Sequence, residues 1–167
     1  MARTAHGEAR IPLLLKVLDE AFTAKGWHGT TLSGALRGLT PRQALWRPGP
    51  GRHNIWELVL HAAYWKHVVR ERLEGRGRTA FPRGPRNYPR LPDRCDAAAW
   101  KADVTLLGRE HDALRRMVRR LAPARLDARV GASPWNVAEH LFGVAAHDVY
   151  HTGQVQLLKV LQKRRRP

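Results

Sequence analysis

His147 and His151 lie four residues apart in the run Ala146-His147-Asp148-Val149-Tyr150-His151-Thr152-Gly153-Gln154. In a helix this spacing puts them about 40° apart around the axis and about 6 Å along it, so both imidazoles reach one ion. Two such ligands form half of a divalent-metal site. The stripe they share also holds Asn136, His140, Gly143, Tyr150, Gln154 and Leu158. Several of these are polar where a bundle helix shows Leu or Val, and a polar stripe on a core face is costly unless something compensates it.

A third ligand has to come from upstream, because no His, Cys, Asp or Glu follows His151. His61 is the best candidate: it interrupts Ile55, Leu58, Trp65 and Val68 on what reads as an inward helical face. A core histidine satisfied by a hydrogen bond is the alternative for His61 taken alone. The run His147-Asp148-Val149-Tyr150-His151 only superficially matches the metalloprotease His-Glu-x-x-His, since Asp replaces the base and no downstream ligand exists. His111 falls on an apolar seam, either as an ordinary core residue or as an outer partner. His140 lies about 10 Å from His147 along the axis, too far to share its ion. His28 and His53 read as turn residues. Gln154, one turn beyond His151, can hold a ligand or cap the surface.

The elements that must position these groups are helices. The first begins near Glu8, carries Ile11, Leu14, Leu15, Leu18 and Phe22 at helical spacing, breaks at Gly26 to Gly29 and resumes through Leu32 and Leu36 to Gly38. The second runs from about Asn54 to Leu73, with Asn54 and Glu57 at capping-box spacing. The third, about Asp96 to Leu121, places Trp100, Val104, Leu107, His111, Leu114, Val118 and Leu121 on an alternating 4,3 spacing. The fourth starts at Ser133-Pro134 and continues to about Gln162. Asn-x-x-Glu recurs, at Asn54 to Glu57 and Asn136 to Glu139. No useful strand-like alternation remains, so the fold class is all-α.

Between the second and third helices, Gly75 to Cys95 holds Pro82, Pro85, Pro89 and Pro92 and is rich in arginine. Antiparallel neighbours need only about 2 to 8 linking residues, so a connection of about twenty crosses the bundle and lets its flanking helices run parallel. The expected architecture is an up-down-down-up four-helix bundle, with this crossover over residues 75–95.

At 167 residues and 43% hydrophobic content, the chain has the size of one domain, residues 1–167. Its single cysteine, Cys95, excludes an intrachain disulfide and a thiolate metal cage. Without an 18-residue apolar run, and with Glu8 and Arg10 where a signal peptide needs its apolar core, the expectation is a cytoplasmic protein with no membrane span. The net charge of +16 raises nucleic-acid binding as a reading. The basic residues are scattered, however, apart from Arg115, Arg116, Arg119 and Arg120 and the tail 163–167. No nucleic-acid motif accompanies them, so solvated charge is the preferred reading.

Taken together, Leu36-Arg37-Gly38-Leu39-Thr40-Pro41, Trp46-Arg47-Pro48-Gly49-Pro50, His53-Asn54-Ile55-Trp56-Glu57-Leu58 leading to His61, and His147-Asp148-x-Tyr150-His151-x-Gly153-Gln154 resemble the DinB superfamily. The resemblance spans about residues 10 to 160. It implies an up-down-down-up bundle, often homodimeric, with a divalent metal held by three histidines, which here are His61, His147 and His151. The superfamily includes bacillithiol- and mycothiol-dependent S-transferases and a mycothiol-dependent maleylpyruvate isomerase.

Three neutral imidazoles leave a zinc-like ion an open position. Such an ion can ionise water for hydrolysis or bind a low-molecular-weight thiol for transfer to an electrophilic small molecule. The family resemblance favours thiol transfer; three imidazoles suit Zn, Ni, Cu or Fe, and Zn or Ni is the expected metal. Hydrolysis, a non-catalytic metal-stabilised binding protein and nucleic-acid binding are the alternatives. Glu57, one turn before His61, is a candidate base or helix cap. The loop from Arg76 to Arg94 can cover the metal or lie in solvent.

Overall fold

The computed structural model describes residues 2–77 and 80–164, and these are helical with connecting turns. The helices are α1 (Ala2–Phe22), α2 (Leu32–Leu36), α3 (Pro41–Leu45), α4 (Ile55–Leu73), α5 (Ala97–Arg119) and α6 (Val137–Arg164), with a 3-10 turn at Pro123–Asp127. Residues 165–167 of the basic tail lie outside the described residues. No helix among the described residues is long and apolar enough to cross a membrane.

Side-chain caps set most of the boundaries. The Asn54 side chain accepts from the Glu57 N–H at 2.8 Å and the Glu57 carboxylate accepts from the Asn54 N–H at 3.1 Å, so α4 starts at the expected capping box. Asp96 accepts from the Ala99 N–H at 2.9 Å and opens α5. The expected start of the fourth helix at Ser133-Pro134 is three residues early. The recurring Asn-x-x-Glu is the actual cap: Glu139 accepts from the Asn136 N–H at 2.7 Å, and Asn136 accepts from the Glu139 N–H at 2.9 Å. Ser133 instead accepts from the Trp135 N–H at 3.2 Å within the turn. Helix α1 begins at Ala2 rather than near Glu8. The break at Gly26–Gly29 is present, with Gly29 at φ +99°, a conformation that favours glycine. Helix α3, capped by Thr40 and Gln43, is an addition to the expected pattern.

Contacts between elements fix the topology. Trp56 near the start of α4 meets Trp100 at 5.0 Å between ring centroids and donates to Asp103 at 2.8 Å near the start of α5. His67 and Arg70, further along α4, meet Glu110 further along α5. Residue numbers rise together, so α4 and α5 run parallel, as the long connection requires. Asp19 of α1 holds Arg115, and Phe22 stacks on His111 at 4.1 Å, which makes α1 antiparallel to α5. His61 meets His151 and Trp65 meets His147, which makes α6 antiparallel to α4. The bundle is up-down-down-up.

Two apolar clusters form the core. One gathers Phe22, Leu32, Trp56, Leu60, Leu107 and Val155; the other gathers Leu18, Val69, Leu114, Val118, Leu141 and Val144. Helices α4 and α6 pass through both, and the residues between the clusters are polar: His61, Lys66, His67, Asp148 and His151 are all buried. The candidate site occupies this belt.

The crossover lies against the bundle. Phe81 is buried against Tyr64, with ring centroids 5.6 Å apart, and Arg83 donates to the buried Asp103 at 2.8 Å.

Candidate metal centre

His61 from α4 and His147 and His151 from α6 converge at the junction of the two core clusters. Nε2 of His147 lies 3.0 Å from Nε2 of His61 and 3.0 Å from Nε2 of His151. One nitrogen from each residue falls within 4.8 Å of the other two. An ion about 2.1 Å from each of three nitrogens holds them roughly 3 to 3.5 Å apart, so the cluster has close to the spacing of a three-imidazole site.

The outer ring nitrogens show what kind of occupant the cluster fits. His61 Nδ1 lies 2.7 Å from the Asn87 carbonyl oxygen, which can only accept, so Nδ1 carries the proton and Nε2 presents a bare lone pair. His151 Nδ1 donates to Gln154 Oε1 at 2.7 Å with the same result. His147 Nδ1 is buried without a hydrogen-bond partner. A proton on His147 Nε2 satisfies one facing lone pair and leaves the other opposed; a proton on Nδ1 is buried unpaired and leaves three lone pairs converging. A cation relieves the opposed or converging lone pairs in either arrangement, with His147 Nδ1 then carrying its proton. Hydrogen bonds from the outer nitrogens, made here by His61 and His151, are the usual means of orienting metal-bound imidazoles.

Burial holds the rings in the ligating, neutral form. Desolvation pushes His61 down to about 4, with the His151 and His53 charges adding to it against the Asn87 hydrogen bond. It pushes His147 down to about 3, helped by His151, His61 and Lys66. His151 also moves down through burial, opposed by its bond to Gln154.

Gln154, one turn beyond His151, accepts from its outer ring nitrogen. Glu57 does not reach the rings: its carboxylate takes both ends of the Arg47 guanidinium and caps α4, and it lies 3.1 Å from His53 Nδ1. Oε2 meets three of these partners and Oε1 one, so the carboxylate is committed to Arg47, His53 and the helix cap. Tyr88 of the crossover lies between two histidines, stacked on His53 at 3.7 Å and on His61 at 4.2 Å. His140 packs at the start of α6, its Nδ1 2.9 Å from the Asn136 carbonyl, away from the triad. His111 is a buried core residue beside Phe22, held down to about 2 by burial and by the Lys66 and Arg115 charges. His53 is exposed, and so is His28. Of the polar stripe, Gly143 and Tyr150 face outward rather than into the core.

Two features escaped the sequence reading. Asn87 and Tyr88 support His61 from a loop, one of them through a backbone carbonyl that has no sequence signature. Lys66 and Asp148 form an ion pair with both side chains fully buried, and Lys66 also lies 4.9 Å above the Phe22 ring. Asp148, the residue at the position of a protease base, points into this pair and not toward the triad.

A cavity of about 630 Å³ opens beside the triad, with Trp65 and His147 in its wall. The basic group on α5 is partly consumed internally, since Arg115 donates to Asp19 at 2.7 Å.

No curated protein and no solved structure matches the chain. A family model described as the DinB superfamily matches residues 26–155, the greater part of the sequence and a span that contains all three converging histidines. With its bundle topology and its three-histidine cluster, this chain belongs to the DinB superfamily.

Proposed function

We propose that this protein is a divalent-metal-dependent enzyme that transfers a low-molecular-weight thiol to an electrophilic small molecule, with Zn or Ni held by His61, His147 and His151. The observation that carries the reading is the convergence of three imidazole nitrogens, two of them fixed as bare lone pairs by outer hydrogen bonds, beside a large cavity. A divalent ion bound there supplies Lewis acidity that ionises a thiol near neutral pH.

The chain's own residues do the rest. The three ligands carry no negative charge, so the site attracts an anionic partner. Asn87 and Gln154 hold the His61 and His151 rings in orientation. Trp65, whose ring lies 6.4 Å from that of His147, walls the site on the cavity side. Membership of a superfamily that includes thiol S-transferases supports thiol over water as the nucleophile. The same reading carries a cytoplasmic setting, in keeping with one free cysteine, and a homodimer, for which the exposed Tyr150, Leu157 and Val160 of α6 supply an apolar face.

The test combines elemental analysis of the purified protein with a rate panel. Bacillithiol, mycothiol, glutathione and cysteine are each offered with a chromogenic electrophile to apo protein, metal-loaded protein and His151→Ala. One equivalent of metal and a rate confined to the loaded native protein is the expected result. Equal rates in all three preparations for every thiol reject transfer; ester hydrolysis confined to the loaded form then establishes the hydrolase reading. Loss of the fold in His61→Ala, rather than loss of turnover alone, identifies a structural metal.

A further inference from the structure

The cavity beside His147 is walled by aromatic and aliphatic side chains: Leu14 of α1, Trp65 and Val69 of α4, Trp135, and Phe142 and Val144 of α6. At about 630 Å³ it falls within the size range of sites that enclose a drug-sized molecule. Trp135 and Phe142 are each more than half exposed, so the wall presents open aromatic surface, with Trp135 meeting the His140 ring edge-on at 6.1 Å.

Four polar side chains also line it, and three are already engaged. Glu139 accepts from the Asn136 N–H as part of the α6 cap. His140 bonds the Asn136 carbonyl through Nδ1 and lies 3.4 Å from Ser133 Oγ through Nε2. His147 directs Nε2 into the triad. Arg72 is the fourth. Its guanidinium lies 5.8 Å from the Trp65 ring centroid and forms no ion pair among the described residues. Two other arginines among the described residues at this end of α4 differ: Arg70 pairs with Glu71, Glu74 and Glu110, and Arg76 pairs with Glu71 and Glu74. A guanidinium held over an indole face has N–H groups left for another partner, and their fork matches a carboxylate.

We propose that this cavity binds a small molecule with a flat aromatic body and one carboxylate, the body held between the aromatic walls and the carboxylate read by Arg72. An apolar chamber with a single uncommitted cation at its edge selects that combination over a neutral or cationic ligand. Where the proposed transferase reading holds, this molecule is the electrophile, and that assignment rests on the reading; the binding itself does not.

Gly143 supplies a clean block. It lines the cavity, and a Cβ built on it meets nothing within 4 Å, so a larger side chain starts from open space at the chamber wall. The experiment is calorimetric titration of the full chain with naphthoate and with its neutral amide, naphthamide, on native protein, Arg72→Met and Gly143→Leu. Zinc titration and light scattering are run on the same samples. Naphthoate is expected to bind about fivefold to tenfold more tightly than the amide to native protein. Arg72→Met should erase that preference while leaving amide affinity within about twofold. Gly143→Leu should weaken both ligands at least about tenfold and leave zinc binding and molecular mass unchanged. Equal native affinities, a preference that survives Arg72→Met, or binding indifferent to Gly143→Leu overturns the proposal. A change of mass in Gly143→Leu also overturns it, by making the cavity a contact between subunits. Failure of zinc binding with the naphthoate pattern intact supports this site and removes the metal reading instead.

Discussion

Replacing Lys66 by Met tests how the buried polar belt is held. Lys66 and Asp148 are each fully removed from solvent, and Asp148 Oδ1 has no hydrogen-bond partner, so the carboxylate depends on the one amine. Removing one member of such a pair leaves an uncompensated charge and costs about 3 to 5 kcal/mol. In a domain of this size each kcal/mol lowers Tm by about 2 to 4 °C, so the expected drop is roughly 6 to 20 °C. The double variant Lys66→Met/Asp148→Leu replaces the pair by apolar groups and should return to within about 2 kcal/mol of native. Urea denaturation followed by tryptophan fluorescence, on native, both single variants and the double, gives the cycle. A coupling below about 1 kcal/mol, or a double variant no more stable than the worse single, refutes the argument that pairing rather than packing is at stake. Lys66 stands five residues after His61, and Asp148 follows His147, so the same cycle reads whether the pair sets the register of the two helices that carry the triad.

Gln154→Ala should weaken zinc binding by about 10 to 100-fold with the fold intact, measured by competition with a chelator dye; unchanged affinity would mean that the His151 ring needs no outer partner. Zinc at about a hundred times its Kd should stabilise the native protein by about 2.7 kcal/mol in a thermal-shift assay, and His61→Ala should abolish the gain. His111 is held at about 2 in the fold against about 6.5 unfolded, so the folded state binds fewer protons below pH 6.5 and stability falls as pH drops through that window. Urea titrations at several pH values should show His111→Leu losing about 1.4 kcal/mol per pH unit less than native between pH 6 and 4, whereas parallel slopes would contradict the burial argument. Asp103→Ala strands the Trp56 N–H and releases Arg83, and should cost about 3 kcal/mol and speed hydrogen exchange across the crossover.

The main helices and the triad were legible because both rest on periodicity and spacing. The 3.6-residue repeat fixes which side chains share a face, so His147 and His151 predict a two-ligand edge, and His61 stands out as polar on an apolar stripe. The parallel pair of α4 and α5 followed from chain reach alone. The start of α6 was misplaced because Ser133-Pro134 and Asn136 with Glu139 both carry start signals, and the reciprocal cap with two backbone bonds prevailed. Lys66 and Asp148 were illegible because each is an ordinary helix residue until the packing brings them together from helices far apart in sequence. Glu57 read as a cap before a base; in the fold it caps α4 and pairs with Arg47, ten residues upstream, a partner with no local sequence signal.

The crossover bonds His61 through the backbone of Asn87, while the Asn87 side chain accepts from Trp65 at 2.7 Å. A side-chain scan of the loop cannot delete the bond that sets the His61 tautomer; it can only shift it, by loosening the anchor to Trp65. The loop therefore sets its register at position 87, where one peptide unit is clamped between two aromatic heterocycles and Tyr88 stacks on His61 beside it. In a library of chimaeric crossovers, metal affinity should follow the placement of that single carbonyl and of the Tyr88 ring beside it, and respond less to the rest of the loop.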